Sequence, residues 1–365
     1  MRIAIIGAGI VGSTAAYYLS RLGQAEVVLF DEGLGQATKA AAGIICPWFS
    51  KRRNKAWYQL ADAGAKFYPR LIQDLLADGY PNTSYQKTGV YVLKKDSSKL
   101  EELYHIALQR QHSSPIIGQL SLQDYAQASG AFPELKGYER TLVAQGAARV
   151  DGHDLCRLLQ TAAGYPLYQQ KVSLRQKGQG YEIAGHYFDR VILACGAWLG
   201  QLLEPLGYHV DVRPQKGQLL DYHLPNQASD RWPVVMPEGE IDIIPFTQGK
   251  VVVGASHEND QGFDISPDQD ILDSLAAQAS PFLPALATAP LPTSRVGIRA
   301  YTRDFLPFFG SVPNKPRLYV ASGLGSTGLT VGPIIGQQLA KLALDQELDM
   351  AIEAYNPAAY LTLLA

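Results

Sequence analysis

The sequence has 365 residues, with 32 lysines and arginines against 34 aspartates and glutamates, so its formal net charge is only −2. This length predicts two domains, and the balanced charge argues against nucleic acid or an anionic membrane surface as a partner. No run of about 18 apolar residues occurs, so a membrane-spanning helix is not expected, although peripheral membrane contact is compatible with the sequence.

The chain begins with a short apolar strand that leads into a glycine-rich turn and a helix. Gly7 suits the tight turn, Gly9 lets backbone amides approach a pyrophosphate, and Gly12 lets the helix pack closely on the sheet. The next predicted strand, residues 26–30, ends at Asp31, whose carboxylate is positioned to bind ribose hydroxyls. These features together predict a dinucleotide-binding unit rather than a cleaved secretory signal. Nicotinamide and flavin cofactors share this motif, so the motif does not choose between them.

The segments that follow do not continue the strand and helix pattern of this dinucleotide-binding unit. Residues 36–48 are rich in small side chains, as expected where a backbone presses against a planar cofactor, although an Ala-rich helix start has the same composition. Amphipathic patterns predict helices over residues 57–78 and 100–111, and residues 89–93 form a predicted strand between them. This mixture of helix and strand indicates a second, α+β domain.

The second half of the chain returns to strand patterns. A helix is predicted to begin within residues 150–155, and residues 188–198 contain a buried strand that ends at small residues. Residues 213–295 alternate short apolar runs with turn residues, which predicts antiparallel sheet. A last strand at residues 317–322 precedes a glycine-rich turn at residues 323–328 and a helix through about Leu344. This second helix N-terminus is suited to a partial negative charge such as that on flavin O2 and N1.

Three cysteines and seven histidines are scattered singly along the chain. They form no ligand-like spacing and no C-x-x-C pair, so we expect neither a metal site nor a disulfide framework, and a cytoplasmic location fits. The basic run at residues 51–55 is typical of a solvated loop rather than a nucleic-acid contact, and an acidic substrate is another group that it could meet.

The chain resembles the glycine oxidase and D-amino-acid oxidase family of FAD-dependent oxidoreductases over most of its length. The resemblance rests on seven segments in the family's order: Gly7, Gly9 and Gly12 with Asp31; residues 37–43; residues 191–198; residues 216–218; residues 253–255; residues 297–300 with Asp304 and Pro307; and residues 323–328. It implies an α/β protein with a Rossmann-like FAD-binding domain and an inserted α+β substrate domain on a mixed, largely antiparallel sheet. The FAD domain would comprise residues 1–50, 145–213 and 295–365, and the substrate domain residues 51–144 and 214–294.

The same resemblance implies a set of cofactor-binding residues. Thr38, Ala42 and Gly43 would line the pyrophosphate and the isoalloxazine, Val172 would contact the adenine side, and residues 325–329 would donate backbone hydrogen bonds near flavin N1 and O2. The full expected set is Gly7, Gly9, Gly12, Asp31, Thr38, Ala42, Gly43, Val172, Gly196, Gly325, Gly328 and Leu329. Relatives that attach FAD covalently use a cysteine in the C-terminal region or a histidine near the first motif. This chain has neither, so we expect non-covalent FAD.

Two residues are candidates for the substrate side. Arg299 falls where the family's arginine binds the substrate carboxylate with its planar fork, the alternative being a surface arginine. Asp242 stands where several relatives have a tyrosine, and Phe246 replaces an arginine that follows Pro245 in those relatives. Asp242 would either hold a substrate ammonium or guanidinium group or face solvent.

The resulting hypothesis is oxidation of the C–N bond of an amino acid or secondary amine of the glycine, sarcosine or D-amino-acid type. Hydride transfer to flavin N5 needs a neutral, aligned amine and no protein nucleophile or metal, and the imine that forms hydrolyses. The electron acceptor would be oxygen, or a quinone in a D-amino-acid dehydrogenase. A flavin oxidoreductase of tRNA modification and a non-catalytic flavin-binding scaffold are the alternatives. The sequence predicts no oligomeric state.

Overall fold

In the computed structural model, which describes residues 1–23 and 25–364, the first apolar segment becomes a central strand of a six-stranded sheet. The strands in spatial order are Phe308–Ser311, Leu318–Ser322, Arg190–Leu193, Arg2–Ile6, Glu26–Phe30 and Leu167–Tyr168. All neighbouring pairs are parallel except the edge pair formed by the first two strands. This is the sheet predicted from the strands that precede the two glycine-rich turns.

Both faces of this sheet are buried, which explains why its strands are almost continuously apolar. Successive side chains of a strand point to opposite faces, and Ile3 and Ile5 accordingly lie in one core cluster while Ala4 and Ile6 lie in another. Helix Ile10–Leu22 covers the first face and packs against helices Gly152–Ala163 and Gly328–Ala343.

A second, eight-stranded sheet carries most of the remaining chain. Its strands in spatial order are Thr293–Tyr301, Arg213–His223, Lys250–Gly254, Asp242–Pro245, Val234–Met236, Val90–Leu93, Arg140–Ala144 and Leu120–Asp124. One pair, Val234–Met236 with Val90–Leu93, is parallel and the others are antiparallel. The α/β class with a mixed, largely antiparallel second sheet is therefore confirmed, whereas the proposed domain boundaries stay a prediction.

Three smaller sheets and the remaining helices complete the fold. The small sheets pair Leu174–Lys177, Gly180–Ile183 and His186–Phe188; Ile44–Ile45, Ala148–Val150 and Tyr85–Lys87; and Tyr208–Val210 with Leu361–Leu363. The remaining α-helices are Lys55–Ala77, Ser97–Gln111, Tyr125–Ala128, Leu199–Leu203 and Gln269–Ala279. Helix Gln269–Ala279 lies in a region where the sequence predicted only strands. None of the helices in the described ranges is both long and apolar enough to cross a membrane.

A buried tyrosine joins the long helix Lys55–Ala77 to helix Gly328–Ala343. Pro333 has no N–H group, so the carbonyl of Leu329 one turn earlier lacks its usual helical partner. The hydroxyl of Tyr68 donates a 2.6 Å hydrogen bond to that carbonyl. The beginning of helix Gly328–Ala343 is thereby held against the rest of the core, because a buried carbonyl requires a partner.

The small-residue segment after Asp31 forms hydrogen-bonded turns rather than a helix. It packs on strand Thr293–Tyr301, where a Cβ added to Gly297 would lie 2.7 Å from the Cβ of Ala40. Arg295 of the same strand donates a 2.6 Å hydrogen bond to the carbonyl of Lys39. The small side chains therefore allow two backbones to approach closely, and they also leave one side of the segment facing a cavity.

Candidate active site

The glycine-rich turn between strand Arg2–Ile6 and helix Ile10–Leu22 lies at the carboxyl edge of the six-stranded sheet. Gly7 has a φ of +101°, and a Cβ there would lie 2.3 Å from the carbonyl oxygen of Ala194, so no other residue fits. Gly9 is different, because the nearest atom to an added Cβ is the Thr38 hydroxyl at 3.2 Å. An added Cβ at Gly9 would therefore contact one side chain tightly but no backbone atom, and this glycine also lines the cavities described next.

Asp31 organises the turn from the end of the second strand. Its carboxylate accepts hydrogen bonds from the amides of Ala8 at 2.5 Å and Gly33 at 2.6 Å, and from the side chain of Gln36 at 2.7 Å. A carboxylate has about four acceptor positions. Asp31 thus holds the backbone of the glycine turn in addition to any hydrogen bond with a ribose hydroxyl, a role that the motif alone did not indicate.

Two adjoining cavities of about 530 and 220 Å³ begin at this turn. They share a wall formed by Gly9, Ala37, Thr38, Ala194, Gly196 and Ile298. The larger cavity extends towards Asp31 and Val172, and the smaller one extends towards helix Gly328–Ala343 and the eight-stranded sheet. Together they form an elongated space that passes the N-termini of two helices.

The second helix N-terminus borders the smaller cavity. Thr327 precedes helix Gly328–Ala343, and its side chain makes no capping hydrogen bond. Gly325, Gly328 and Leu329 line the cavity at this point. Within the described ranges the first turn of this helix is therefore available to a group that carries partial negative charge.

The expected cofactor-binding residues converge on this space. All of them line one or both cavities except Gly12. A Cβ on Gly12 would lie 1.8 Å from the carbonyl oxygen of Gly7, so this glycine serves close packing, as its spacing predicted. An extended dinucleotide fits this arrangement, because the space is long, is bordered by the glycines Gly9 and Gly196, and is lined by helix N-termini suited to pyrophosphate and to a flavin ring.

Arg299 lies on the wall of the smaller cavity. It is half-buried on strand Thr293–Tyr301, and its Nη1 donates hydrogen bonds of 3.2 Å to Gln215 Oε1 and 2.8 Å to the carbonyl of Ser256. The guanidinium lies across Gly217, since a Cβ there would be 2.6 Å from Nη1. Burial lowers the pKa of Arg299. The interpretation of Arg299 as a surface residue is not supported by this position.

Asp242 lines the same cavity at the start of strand Asp242–Pro245. Burial raises the pKa of its carboxyl to about 7, and the positive charge of Lys94 opposes part of that shift. The side chain is half-buried on the cavity wall, and this position favours a contact with substrate over a purely solvent-facing role.

Sequence reasoning missed two titratable residues of this cavity, Glu240 and His257. His257 Nδ1 lies 3.9 Å from Glu240 Oε2. Burial lowers the pKa of His257, and the positive charge of Arg299 lowers it further. His257 lies two residues after the family-like segment 253–255, which is the signal that could have drawn attention to it.

Burial accounts for the properties of the three cysteines, and helix capping with an ion pair accounts for the acidic group at Asp151. Burial raises the pKa of Cys156 and Cys195 to about 12 and raises that of Cys46 as well, so these thiols are protonated at neutral pH. Asp151, which lies close to His153 and Asp154, caps helix Gly152–Ala163 and pairs with Lys250 at 2.9 Å. Helix capping and this ion pair explain the position of the Asp151 carboxylate without a metal ion.

Comparison with known proteins gives matches over nearly the whole chain. Residues 2–342 match the DAO family, described as FAD dependent oxidoreductase. The oxidoreductase YurR of Bacillus subtilis is 40% identical, covering 97% of this chain and 98% of that protein. Glycine oxidase of Pseudomonas aeruginosa is 30% identical, covering 98% of each chain.

Solved structures also match this chain over nearly its whole length. The crystal structure of iminodiacetate oxidase from Chelativorans superposes with a TM-score of 0.93 at 35% identity, covering 98% of this chain and 99% of that one. Glycine oxidase from Geobacillus kaustophilus superposes with a TM-score of 0.83 at 22% identity, which supports the fold.

Proposed function

The chain belongs to the DAO family of FAD-dependent oxidoreductases, and we propose that it oxidises the C–N bond of an amino acid built on a carboxymethylamine unit. The names of two relatives, glycine oxidase and iminodiacetate oxidase, both describe substrates that contain this unit. Glycine, sarcosine and other N-substituted glycines are the class of substrate that we expect.

The observation that carries this proposal is that one cavity is lined by both a cation and an acid. Arg299 is a half-buried cation, and Asp242 is a half-buried acid on a neighbouring part of the same cavity. An amino acid carries a carboxylate and an amine within a few bonds of each other. A site with one fixed cation and one acid is therefore suited to bind both ends and to orient the carbon between them.

Arg299 is the proposed carboxylate anchor. Gln215 and the Ser256 carbonyl engage its Nη1, which leaves Nε and Nη2 for a bidentate contact. Hydrogen bonds from neighbouring elements fix the plane of the guanidinium before substrate arrives. This preorganisation lowers the cost of placing the substrate carbon in a reactive position.

Asp242 is the proposed partner of the amine. Its pKa of about 7 means that a substantial fraction is ionised at neutral pH. The ionised form attracts a substrate ammonium group and is able to accept its proton, which leaves the neutral amine that oxidation requires. Lys94, which lies near Asp242, favours the ionised form by its positive charge.

Bound FAD would supply the oxidising chemistry, namely acceptance of two electrons and one proton from the substrate as a hydride. The Cα–H bond breaks and a C=N bond forms, and water then hydrolyses the imine to a carbonyl product and an amine. The N-terminus of helix Gly328–Ala343, with its exposed peptide N–H groups, is positioned on the cavity wall to stabilise negative charge.

Anaerobic mixing of the FAD-loaded enzyme with a panel of amines tests this proposal. We expect loss of the visible absorbance of the oxidised flavin with glycine, sarcosine or iminodiacetate, and much less loss with methylamine or dimethylamine. D-Alanine and proline extend the panel to the alternative substrate types. Absence of bleaching by every amino acid would favour a non-catalytic flavin-binding scaffold. Hydrogen peroxide and quinone reduction, measured separately, identify the electron acceptor.

A further inference from the structure

Resting on the proposed function, we propose that the exposed residue Asn259 positions the carboxylate anchor Arg299 by fixing the side-chain amide of Gln215. Two hydrogen bonds connect the three side chains. Arg299 Nη1 donates to Gln215 Oε1 at 3.2 Å, and Gln215 Nε2 donates to Asn259 Oδ1 at 2.9 Å. We call Asn259, Gln215 and Arg299 the anchor relay.

The direction of the Gln215 amide decides whether it supports Arg299. A side-chain amide has one accepting end and one donating end, whereas a guanidinium group only donates. Only the oxygen of Gln215 therefore binds Arg299. Asn259 Oδ1 accepts a hydrogen bond from the opposite end of the amide. A flipped amide would turn its NH2 group towards the guanidinium and lose both hydrogen bonds, so Asn259 selects the supporting orientation.

Gln215 is placed beside the anchor by strand pairing and burial. Gln215 and Arg299 are directly opposite each other in neighbouring antiparallel strands, so their side chains share one face of the sheet. Gln215 is only 9% exposed, and a buried amide requires partners within the protein. The sheet thus fixes where the Gln215 side chain lies, and Asn259 fixes which end of it meets Arg299.

The segment that carries Asn259 is held on both sides by Lys216. The backbones of Lys216 and Glu258 exchange two hydrogen bonds, of 3.1 and 3.0 Å. The buried ammonium group of Lys216 lies 2.6 Å from the carboxylate of Asp264. Asn259 stands between these two contacts in the sequence. Its turn is therefore anchored before and after the residue that meets Gln215.

The partners of Arg299 orient it without cancelling its charge. In the described ranges, both acceptors of its guanidinium are neutral oxygens, namely Gln215 Oε1 and the Ser256 carbonyl. Glu258, whose negative charge acts on Arg299, accepts hydrogen bonds instead from the Ser256 hydroxyl at 2.5 Å and the Gln218 amide at 2.8 Å. The positive charge of the anchor therefore stays available for a substrate carboxylate.

A double-mutant cycle on the FAD-loaded enzyme tests the anchor relay. Calorimetry gives the Kd of methoxyacetate, a carboxylate with no amine to oxidise. We expect Asn259→Leu and Gln215→Leu each to raise this Kd about fivefold, as for the loss of one neutral hydrogen bond. In the Gln215→Leu background, Asn259→Leu should cause no further increase, because Asn259 acts through Gln215. An additive effect, or an unchanged Kd in Asn259→Leu, would overturn the inference.

A charged replacement tests the same contact in the opposite sense. The carboxylate of Gln215→Glu should bind Arg299 and compete with the ligand, so we expect the Kd of methoxyacetate to rise at least about tenfold, further than in Gln215→Leu. A Kd equal to that of the unmodified enzyme would show that the Gln215 side chain does not support the anchor.

Asp260→Asn is the matched control for the turn. Asp260 directly follows Asn259 and has a φ of +63°, a conformation that asparagine tolerates. This variant should keep the Kd of methoxyacetate within about twofold. An increase equal to that of Asn259→Leu would overturn the inference, since any change in the turn would then weaken binding.

Steady-state kinetics and Arg299→Ala separate the relay from the proposed function. With sarcosine, KM in Asn259→Leu should rise more than kcat falls, because the anchor binds the carboxylate in both the ground state and the transition state. A fall in kcat and flavin content at unchanged KM would indicate a structural role instead and contradict the relay. If Arg299→Ala weakens methoxyacetate binding and Asn259→Leu does not, only the relay fails. If Arg299→Ala binds methoxyacetate as tightly as the unmodified enzyme, the anchor of the proposed function fails as well.

Discussion

Replacement of Arg299 by alanine removes the proposed carboxylate anchor and leaves the flavin cavity in place. The side chain makes two hydrogen bonds within the protein, to Gln215 and to the Ser256 carbonyl, and both come from Nη1. Arg299 lines the cavity, and the hydrogen bonds given for its guanidinium do not use Nε or Nη2. The variant therefore changes substrate binding without removing a contact to the glycine-rich turn.

The magnitude follows from the hydrogen bonds that are lost. A hydrogen bond to a charged group contributes about 1.5–3 kcal/mol, and a factor of ten corresponds to about 1.4 kcal/mol. Loss of a single such bond lowers kcat/KM for a carboxylate substrate at least about tenfold, and loss of a bidentate pair lowers it about a hundredfold or more. Arg299→Lys should recover only part of this loss, because an ammonium lacks the planar fork.

Steady-state oxidation and anaerobic flavin bleaching measure the effect. Flavin absorbance of the purified variants should match that of the unmodified enzyme, which shows that the cofactor is retained. Arg303→Ala is the matched control, because Arg303 lies four residues further along and pairs with Asp211 outside the cavity. Amines without a carboxylate should be affected far less than amino acids.

A glycine next to the anchor allows an independent perturbation. A Cβ added at Gly217 would lie 2.6–2.7 Å from the guanidinium atoms of Arg299. Gly217→Ala should displace this side chain and raise KM for carboxylate substrates while the arginine itself remains. An unchanged kcat/KM in Arg299→Ala with the best carboxylate substrate would refute the anchoring role, and the substrate assignment that depends on it.

The other predictions address the cofactor, the acid and the core. Gly9→Val should purify with little or no FAD because its side chain enters the cavity, and acid precipitation of the unmodified enzyme should release all its flavin. In the unmodified enzyme kcat/KM should increase with pH around pH 7, because only the ionised Asp242 carboxylate binds an ammonium group. Asp242→Asn should abolish this increase. The positive charge of Lys94 lowers the pKa of Asp242 and so opposes part of the effect of burial. Because burial raises this pKa, the unmodified protein loses stability as pH rises from about 4 to about 7, and thermal unfolding of Asp242→Asn should show a relative gain at pH 8. Tyr68→Phe should lower the free energy of unfolding by about 1–3 kcal/mol, whereas Tyr58→Phe, which removes a buried hydroxyl without a protein partner, should not.

The parts of the site formed by local sequence were predictable. The turn at Gly7 and Gly9 depends on a strand, a tight turn and a helix within about twelve residues, and each element leaves its own pattern. The turn before helix Gly328–Ala343 has the same local origin. Since parallel strands place such turns at one edge of a sheet, two distant motifs were sufficient to indicate one cofactor site.

The parts formed by long-range packing were not predictable in the same way. Helix Gln269–Ala279 lies among strands, and its short amphipathic pattern did not distinguish it from the sheet around it. The hydrogen bond from Tyr68 to Leu329 joins residues far apart in sequence, and only Pro333 signals that the Leu329 carbonyl requires an external donor. The family resemblance indicates Leu329 as a cofactor-binding residue but gives no role to Tyr68.

Asp242 shows why a residue's chemistry depends on the assembled fold. The strand pattern around it is compatible with either a solvent-facing or a cavity-facing carboxylate, because alternation defines two faces without identifying what covers each. Its strand neighbour in the register is Gly254, which has no side chain to cover it. Burial on the cavity wall then raises the pKa to about 7. A surface aspartate would bind a cation but would hardly accept its proton at neutral pH, so the same side chain acquires its proposed role from burial on the cavity wall, with Lys94 favouring its ionised form.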